Sequence, residues 1–226
     1  MIKKIKSLGM LAFLMASLAL AVQAHLRLDE SNRDIPREIA QHVVPFQVEK
    51  LDNRTFATGF HVEVQGKVYI LTNRHVCDAN VSKIDPDKIK FGGVVERIII
   101  IDNQHDLCLV TSSRDKGIKI SFDPILSMDK VYLIGHPRGL PLVVREGRII
   151  GETDEQHDWL DNKQIISQQI SATAYGGNSG SPVINAKGEL VGVLYAGIER
   201  YPHEPLIVPR AAVIDFLRRA GVLDYP

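Results

Sequence analysis

Short runs of alternating apolar and polar residues, separated by turn residues, fill most of the chain after residue 42. Runs of this kind, rich in Val, Ile, Phe and Tyr, are typical of β-strands. The predicted strands are Val44–Glu49, Phe56–Val64, Lys67–Leu71, Val94–Ile101, Leu107–Thr111, Lys130–Ile134, Leu142–Ile150, Gln164–Ser171, Pro182–Ile184 and Leu190–Tyr195. Many short strands with frequent turns indicate an all-β sandwich or pair of barrels and exclude a parallel α/β sheet.

Two helices frame these strands. Asp34 followed by Pro36 is a capped helix start, which predicts a short helix to about His42. A second pattern, with apolar residues at helical spacing and a glycine at its end, predicts a helix over Pro209–Gly221. The stretch Lys116–Asp123 has no clear strand period and divides the strands into two groups of about five.

The first 24 residues have the features of a secretory leader. Lys3, Lys4 and Lys6 precede an almost unbroken apolar run, Leu8–Val22, and a small residue, Ala24, follows. This order predicts a signal peptide that is removed after residue 24, leaving an exported chain of residues 25–226, periplasmic or secreted, without a stable membrane anchor. The alternative is a retained anchor, since the run is of marginal length for spanning a bilayer. Export permits disulfides.

Composition narrows the function classes. The 226 residues include 27 basic and 27 acidic side chains, and 45% of the chain is hydrophobic. These fractions are those of an ordinary folded protein and argue against global disorder. A net charge of zero gives no reason to expect a nucleic-acid partner.

Three segments carry candidate chemistry. In Ile70–Cys77 an apolar strand leads into His75, and in His105–Val110 an acid, Asp106, stands at the start of a strand. In the third segment, Gly176-Gly177-Asn178-Ser179-Gly180-Ser181-Pro182-Val183, a serine is held in a glycine-rich turn just before another strand.

Acyl transfer needs these three residue types together. A serine hydroxyl is a weak nucleophile and requires an adjacent base, and His has a pKa near the working pH. A buried carboxylate fixes the imidazole tautomer. Glycines around a serine let main-chain N–H groups converge on a developing oxyanion, here from Gly177 and Ser179. The residues therefore predict a triad of Ser179, His75 and Asp106.

The order His, Asp, Ser and the Gly-Asn-Ser-Gly-Ser-Pro-Val run resemble the chymotrypsin-fold serine proteases. The run is most similar to that of the bacterial glutamyl endopeptidases. The Thr-Asn-Arg-His-Val and Asp-Leu-Cys-Leu-Val stretches also resemble the protease domain of the HtrA (Deg) proteases. This resemblance implies a serine endopeptidase that acts on proteins or peptides and requires no metal or organic cofactor.

The resemblance also implies an architecture: two six-stranded-type antiparallel barrels, at about residues 43–118 and 119–208, with the nucleophile in the cleft between them and a C-terminal helix at about 209–221. It further implies a substrate pocket lined by Thr173, Ala174, Tyr195, Ala196 and Gly197. Leu194 stands where glutamyl endopeptidases place a histidine, and the pocket has no Asp for a basic side chain. We expect cleavage after an apolar or small residue.

Several alternatives compete with these assignments. Asp102 is the rival acid; Asp106 is preferred because an alternating strand begins directly after it. His105 is excluded as its partner because consecutive strand residues point to opposite faces. The same cleft could belong to a catalytically inactive peptide-binding protein, or to an esterase with the same triad.

The two cysteines lie two residues after the predicted base and acid. If His75 contacts Asp106, Cys77 and Cys108 stand on the segments that these residues anchor, which predicts a disulfide. Two buried free thiols are the first alternative. A zinc site of Cys77, Cys108, His75 and His105 is the second, although the spacings match familiar zinc patterns poorly.

Overall fold

The computed structural model describes residues 36–50, 53–79, 88–91, 94–157, 163–198 and 201–225. The predicted leader, residues 1–24, lies outside these ranges.

The N-terminal half forms one strongly curled sheet. Its pairing among the described residues runs in an open path, β1-β2-β3-β6-β5-β4, and β7 adds to β2 in parallel. The strands are β1 Val43–Lys50, β2 Asn53–Val64, β3 Lys67–Asn73, β4 Lys88–Phe91, β5 Val94–Asp102, β6 Leu107–Thr111 and β7 Ile118–Lys119. Apart from β7, neighbouring strands in this sheet are antiparallel.

The C-terminal half forms a closed antiparallel barrel, ordered β10-β13-β12-β11-β8-β9. Its strands are β8 Lys130–Gly135, β9 Val143–His157, β10 Lys163–Ile170, β11 Pro182–Asn185, β12 Leu190–Ile198 and β13 Tyr201–Pro209. The predicted all-β, two-barrel class is confirmed; the first unit is an open curled sheet and the second is closed.

Three strands were not predicted from the sequence. Strand β13 contains Pro202 and Pro205. Because proline has no N–H to donate to a neighbouring strand, this sequence does not predict a strand. The structure accommodates it by register shifts against β12. Strand β4 is short, and β7 has only two residues within the stretch Lys116–Asp123, which shows no strand period.

The helices are few and short. Residues 36–40 are helical, close to the predicted start at Pro36. Helix α1, Arg74–Asp78, follows β3 directly, and helix α2, Arg210–Arg219, lies within the predicted range Pro209–Gly221. Within the ranges described, no helix is both long and apolar enough to span a bilayer.

One hydrophobic core spans the two halves, and each half has a second cluster of its own. Phe60, Leu71 and Leu107 from the first sheet pack with buried residues of the barrel and with the inner face of α2. The residues from the second half are Tyr132, Ile134, Ile184, Leu190, Val193, Tyr195, Leu206, Val208, Val213, Phe216 and Leu217. Because this core is continuous, it fixes the ends of β3 and β6 relative to the start of β11, where the three candidate segments lie.

Candidate active site

The predicted base and acid are in direct contact. His75 lies in α1, and Asp106 lies in the turn before β6. The Nδ1 atom of His75 is 2.8 Å from Oδ2 of Asp106, and the main-chain N–H of His75 donates to Oδ1 at 3.0 Å. The carboxylate therefore orients the imidazole by two bonds, one to the ring and one to the backbone that carries it.

Asp106 is held in an unusual conformation. Its φ of +56° lies in the left-handed region that non-glycine residues rarely adopt. Its carbonyl accepts hydrogen bonds from the N–H of Arg74 and from Nδ2 of Asn73, each at 3.0 Å. The side chain is fully buried; burial raises the pKa of the Asp106 carboxyl above its usual range, and the hydrogen bonds from His75 only partly oppose that rise.

A disulfide joins the two segments. Cys77 and Cys108 are bonded, with an S–S distance of 2.09 Å, and both are fully buried. The predicted pairing is confirmed. Since each sulfur is used in this bond, the free-thiol alternative and the zinc site that included these thiolates are both excluded.

Ser179 lies in a tight turn that is attached to the first sheet. The flanking Gly177 and Gly180 have φ values of +97° and +82°. The N–H of Thr58 donates to the Ser179 carbonyl at 2.8 Å, and the Thr58 hydroxyl donates to the Gly177 carbonyl at 2.8 Å. A side chain at Gly180 would collide with the Thr58 carbonyl and the Thr72 hydroxyl. The turn is thus fixed against the end of β3, three residues before His75.

The main-chain N–H groups of this turn divide into two sets. Those of Asn178, Gly180 and Ser181 donate to carbonyls within the protein, at 3.0, 2.8 and 2.9 Å. Those of Gly177 and Ser179 have no acceptor among the described residues. Buried or partly buried N–H groups are normally paired, so two neighbouring unpaired donors are available for an oxygen of a bound molecule.

The peptide between Gly176 and Gly177 is held in one orientation. The N–H of Arg138 donates to the Gly176 carbonyl at 2.6 Å, and Arg138 itself adopts a φ of +55° in a short turn, Pro137–Gly139. In a trans peptide the carbonyl and the following N–H point in opposite directions. The N–H of Gly177 therefore points away from the Arg138 turn.

The predicted pocket residues occupy different environments. Thr173 is partly exposed, and its hydroxyl lies 2.8 Å from Nδ1 of His203, while Ala174 is buried. Tyr195 is buried, and its hydroxyl is 2.6 Å from that of Ser167. On the same strand, Ala196 is partly exposed and Gly197 is exposed.

The rival acid has another partner. Asp102 binds His105 and Arg219, and His75 binds Asp106. His105 lies in a turn and not in a strand, so the expected alternation of side chains between two faces does not apply to it. Its ring contacts Asp102. No group of three His, Cys, Asp or Glu side chains within the described ranges is placed to hold a metal ion.

Sequence reasoning missed the residues that hold the turn containing Ser179. Thr58 and Thr72 are buried threonines inside apolar strands, and Arg138 lies in a loop far from Ser179 along the chain. A buried hydroxyl in an apolar strand is a weak signal of a hydrogen bond at that point, but it does not identify the partner.

The sequence also matches a known protein family. The sequence model of the trypsin-like peptidase domain matches residues 57–193, which is more than half of the chain. The chain therefore belongs to the trypsin-like peptidase domain family, as a serine peptidase of the two-barrel class.

Solved structures share the fold. The Rv3671c protease from M. tuberculosis in its active form is 17% identical, with a TM-score of 0.68 over 85% of this chain and 86% of that chain. A serine endoprotease from Yersinia pestis is 25% identical, with a TM-score of 0.63 over 84% of this chain and 66% of that one. An HtrA-type protease, AlgW, solved with a tripeptide, is 18% identical, with a TM-score of 0.65 over 83% and 62% of the two chains.

Proposed function

We propose that this protein is an exported serine endopeptidase that hydrolyses peptide bonds through Ser179, His75 and Asp106. The observation that carries the proposal is the 2.8 Å contact of His75 with a buried Asp106. The hydrogen bond from the Thr58 N–H to the Ser179 carbonyl, which attaches the Ser179 turn to the first sheet, supports it. The family membership supports the reaction class.

The reaction follows from the roles of these groups. The Ser179 hydroxyl attacks the scissile carbonyl carbon while Nε2 of His75 takes its proton. The carbonyl oxygen becomes an oxyanion, which accepts hydrogen bonds from the N–H groups of Gly177 and Ser179. Collapse of the tetrahedral intermediate breaks the C–N bond, and His75 returns the proton to the leaving amine. Water then hydrolyses the acyl-enzyme by the same steps.

Asp106 supports this cycle by its charge and position. Its hydrogen bond fixes the proton of neutral His75 on Nδ1, which leaves Nε2 free to act as a base towards Ser179. When His75 is protonated during attack, the buried carboxylate lies in direct contact with the new positive charge. A contact of this kind is stronger in a buried site than in water.

The preformed donor pair supports turnover without a change in the nucleophile turn. The Gly176 carbonyl is engaged by Arg138, so the Gly177 N–H has the orientation that an oxyanion donor on the opposite side requires. Each such donor contributes about 2.7–4 kcal/mol to transition-state stabilisation in enzymes of this chemistry.

Export is part of the proposal. It rests on the leader-like residues 1–24, and the disulfide between Cys77 and Cys108 is consistent with an oxidising compartment. Expression of the full chain in a Gram-negative bacterium, followed by fractionation and N-terminal sequencing, tests it. We expect the periplasmic or secreted protein to begin at His25; an uncleaved, membrane-bound product would contradict this.

Labelling with a fluorophosphonate tests the catalytic assignment. The exported protein should become covalently modified at Ser179 and should cleave a denatured protein substrate. Ser179→Ala should abolish both, and Ser113→Ala, at an exposed serine remote from the turn, should change neither. Absence of labelling in the folded protein would favour the inactive peptide-binding alternative. Hydrolysis of esters without hydrolysis of peptides would favour the esterase.

A further inference from the structure

Asp102, the acid that the triad does not use, is a buried carboxylate bound by partners that are themselves partly or largely exposed. It lies at the end of β5 and is 4% exposed. Its carboxylate accepts hydrogen bonds from Nδ1 of His105 at 3.0 Å, the N–H of Gln104 at 3.0 Å, and the guanidinium of Arg219 at 3.0 and 3.3 Å. We call these four residues the Asp102 cluster.

The Asp102 cluster closes the turn that ends at the candidate catalytic acid. Asp102 is paired with Leu107 across the β5–β6 ladder, and the residues between them form the turn. His105 and Gln104, which bind the Asp102 carboxylate, directly precede Asp106. A residue with φ of +56° persists only where its surroundings hold it there, and this cluster holds one side of that turn.

Arg219 connects this turn to a distant part of the chain. It lies in the last turn of α2, 117 residues after Asp102, and its guanidinium binds both oxygens of that carboxylate. Helix α2 is fixed by Val213, Phe216 and Leu217, which are fully buried in the shared core. A paired guanidinium and carboxylate have a defined geometry, so the helix restrains the position of the turn.

Asp102 and Arg219 carry opposite charges that stabilise each other. Burial alone would raise the pKa of Asp102, but hydrogen bonds from His105, Arg219 and the Gln104 N–H hold it well below its usual range. The hydrogen bond with Asp102 raises the pKa of Arg219 further. Asp102 is therefore ionised near neutral pH, and loss of Arg219 would leave this buried carboxylate without its guanidinium partner.

We propose that Asp102 and Arg219 are positioning residues for the reaction: they anchor the Gln104–Asp106 turn to α2 and so set the contact between Asp106 and His75. This inference rests on the proposed function of the triad. Neither residue touches the reacting atoms, so the expected effect is on the rate of the chemical step and not on substrate binding.

Four variants test this proposal, each made in the full-length gene and assayed as the exported protein. Asp102→Asn and Arg219→Gln each break the ion pair, and Arg219→Lys keeps the charge but loses the two-pronged geometry. Asp215→Asn is the matched control, because it removes the other carboxylate bound to Arg219, at 2.8 Å, and leaves the bond to Asp102. Thermal unfolding of each variant establishes that it is folded.

We expect kcat to fall about tenfold or more in Asp102→Asn and Arg219→Gln, with KM changed less than about twofold. Arg219→Lys should recover part of the rate, and Asp215→Asn should retain it. If a folded Asp102→Asn or Arg219→Gln keeps kcat within about twofold, or if Asp215→Asn loses as much as Arg219→Gln, the proposal is wrong. Should Asp102→Asn fail to fold, the two Arg219 variants decide.

A proton NMR signature separates this proposal from the proposed function. The Nδ1 proton of His75, bound to Asp106, should give a far-downfield signal, which Asp106→Asn assigns by its loss. We expect that signal to shift or broaden in Asp102→Asn and Arg219→Gln and to stay in place in Asp215→Asn. If the parent protein cleaves no substrate while its NMR signal responds to the variants in this way, the proposed endopeptidase function is wrong and the positioning role is supported. An unchanged signal overturns the positioning role even in an active enzyme.

Discussion

The main-chain N–H of Thr58 donates a 2.8 Å hydrogen bond to the carbonyl of Ser179. These residues are 121 positions apart and belong to different halves of the fold. The turn that contains Ser179 is therefore attached through its own backbone to the sheet whose strand β3 leads into His75. The adjoining Gly180 makes this approach possible, because a side chain at this position would collide with the Thr58 carbonyl and the Thr72 side chain.

Gly180→Ala should damage both stability and catalysis. Its φ of +82° costs an alanine about 1–2 kcal/mol, and the new methyl group collides with a buried backbone carbonyl. We expect a loss of at least about 2 kcal/mol in unfolding free energy, and about a hundredfold loss in kcat/KM from displacement of Ser179. Urea unfolding and peptide hydrolysis measure the two effects. Gly151→Ala, in open space on β9, is the control and should change neither.

Asp106→Asn should leave the fold intact and lower kcat by roughly 10⁴-fold. An amide at this position can present its NH₂ group to Nδ1 of His75, which moves the ring proton to Nε2 and removes the base that Ser179 needs. KM should change little, because Asp106 is fully buried and does not contact the substrate. Steady-state kinetics check this; a loss of less than tenfold would exclude Asp106 as the triad acid.

Removal of the disulfide should destabilise the protein. The bond closes a loop of 31 residues, and for loops of this length the constraint on the unfolded chain contributes about 2–4 kcal/mol. Cys77→Ala combined with Cys108→Ala should lower the unfolding free energy by that amount, as should reduction of the parent protein. Dithiothreitol should have no effect on the double variant. A parent protein whose unfolding midpoint is insensitive to reductant would contradict this.

The sequence indicated that His75 meets Asp106 and that Cys77 bonds to Cys108 because the signals for these residues are short-range. His75 and Asp106 stand where an apolar strand ends or begins, and the cysteines follow each of them at the same interval. The structure confirms that these segments meet. The sequence could not predict the contacts that hold these segments in place. Thr58 binds Ser179, Arg138 binds Gly176 and Asp102 binds Arg219. Each of these contacts joins residues more than 30 positions apart, with no local pattern.

For the fold as well, the sequence predicted the features that depend on local pattern and missed those that depend on distant partners. Alternation of apolar and polar residues predicted ten strands, since period-two burial is a local property. Strand β13 was missed because its prolines oppose a strand locally, and only the partners β10 and β12 specify it. Helix α1 was also missed: Arg74–Asp78 has too few residues to show a helical period.

Substrate preference remains a prediction of small or apolar residues before the cleaved bond. Ala174 and Ala196 have small side chains, and Leu194, which the resemblance to glutamyl endopeptidases aligns with their histidine, is buried in the barrel core. Mass-spectrometric profiling of a peptide library measures the preference. Strict cleavage after Lys or Arg would contradict it. Strict cleavage after Glu would also contradict it and would direct attention to His203, which is bound to Thr173.

His61 predicts how stability depends on pH. It is buried in β2, with its Nδ1 2.9 Å from the Ser112 hydroxyl. Burial, with smaller contributions from Arg114 and His42, lowers its pKa from 6.5 to about 4. Between these values the unfolded chain binds a proton that the folded protein does not bind. The contribution of His61 to the unfolding free energy should therefore be complete above pH 6.5 and should be lost as the pH is lowered towards 4.

The size of that fall is about 3 kcal/mol, at 1.36 kcal/mol for each unit by which the pKa is lowered. His61→Gln keeps a donor for Ser112 but cannot titrate, so its unfolding free energy should depend less on pH by about that amount. Urea unfolding at half-unit steps from pH 4 to pH 7 measures the two curves. His203→Gln, at an exposed histidine, should keep the slope of the parent protein. Parallel curves for the parent protein and His61→Gln would show that His61 has the same pKa in the folded and unfolded states and that its burial does not control acid stability.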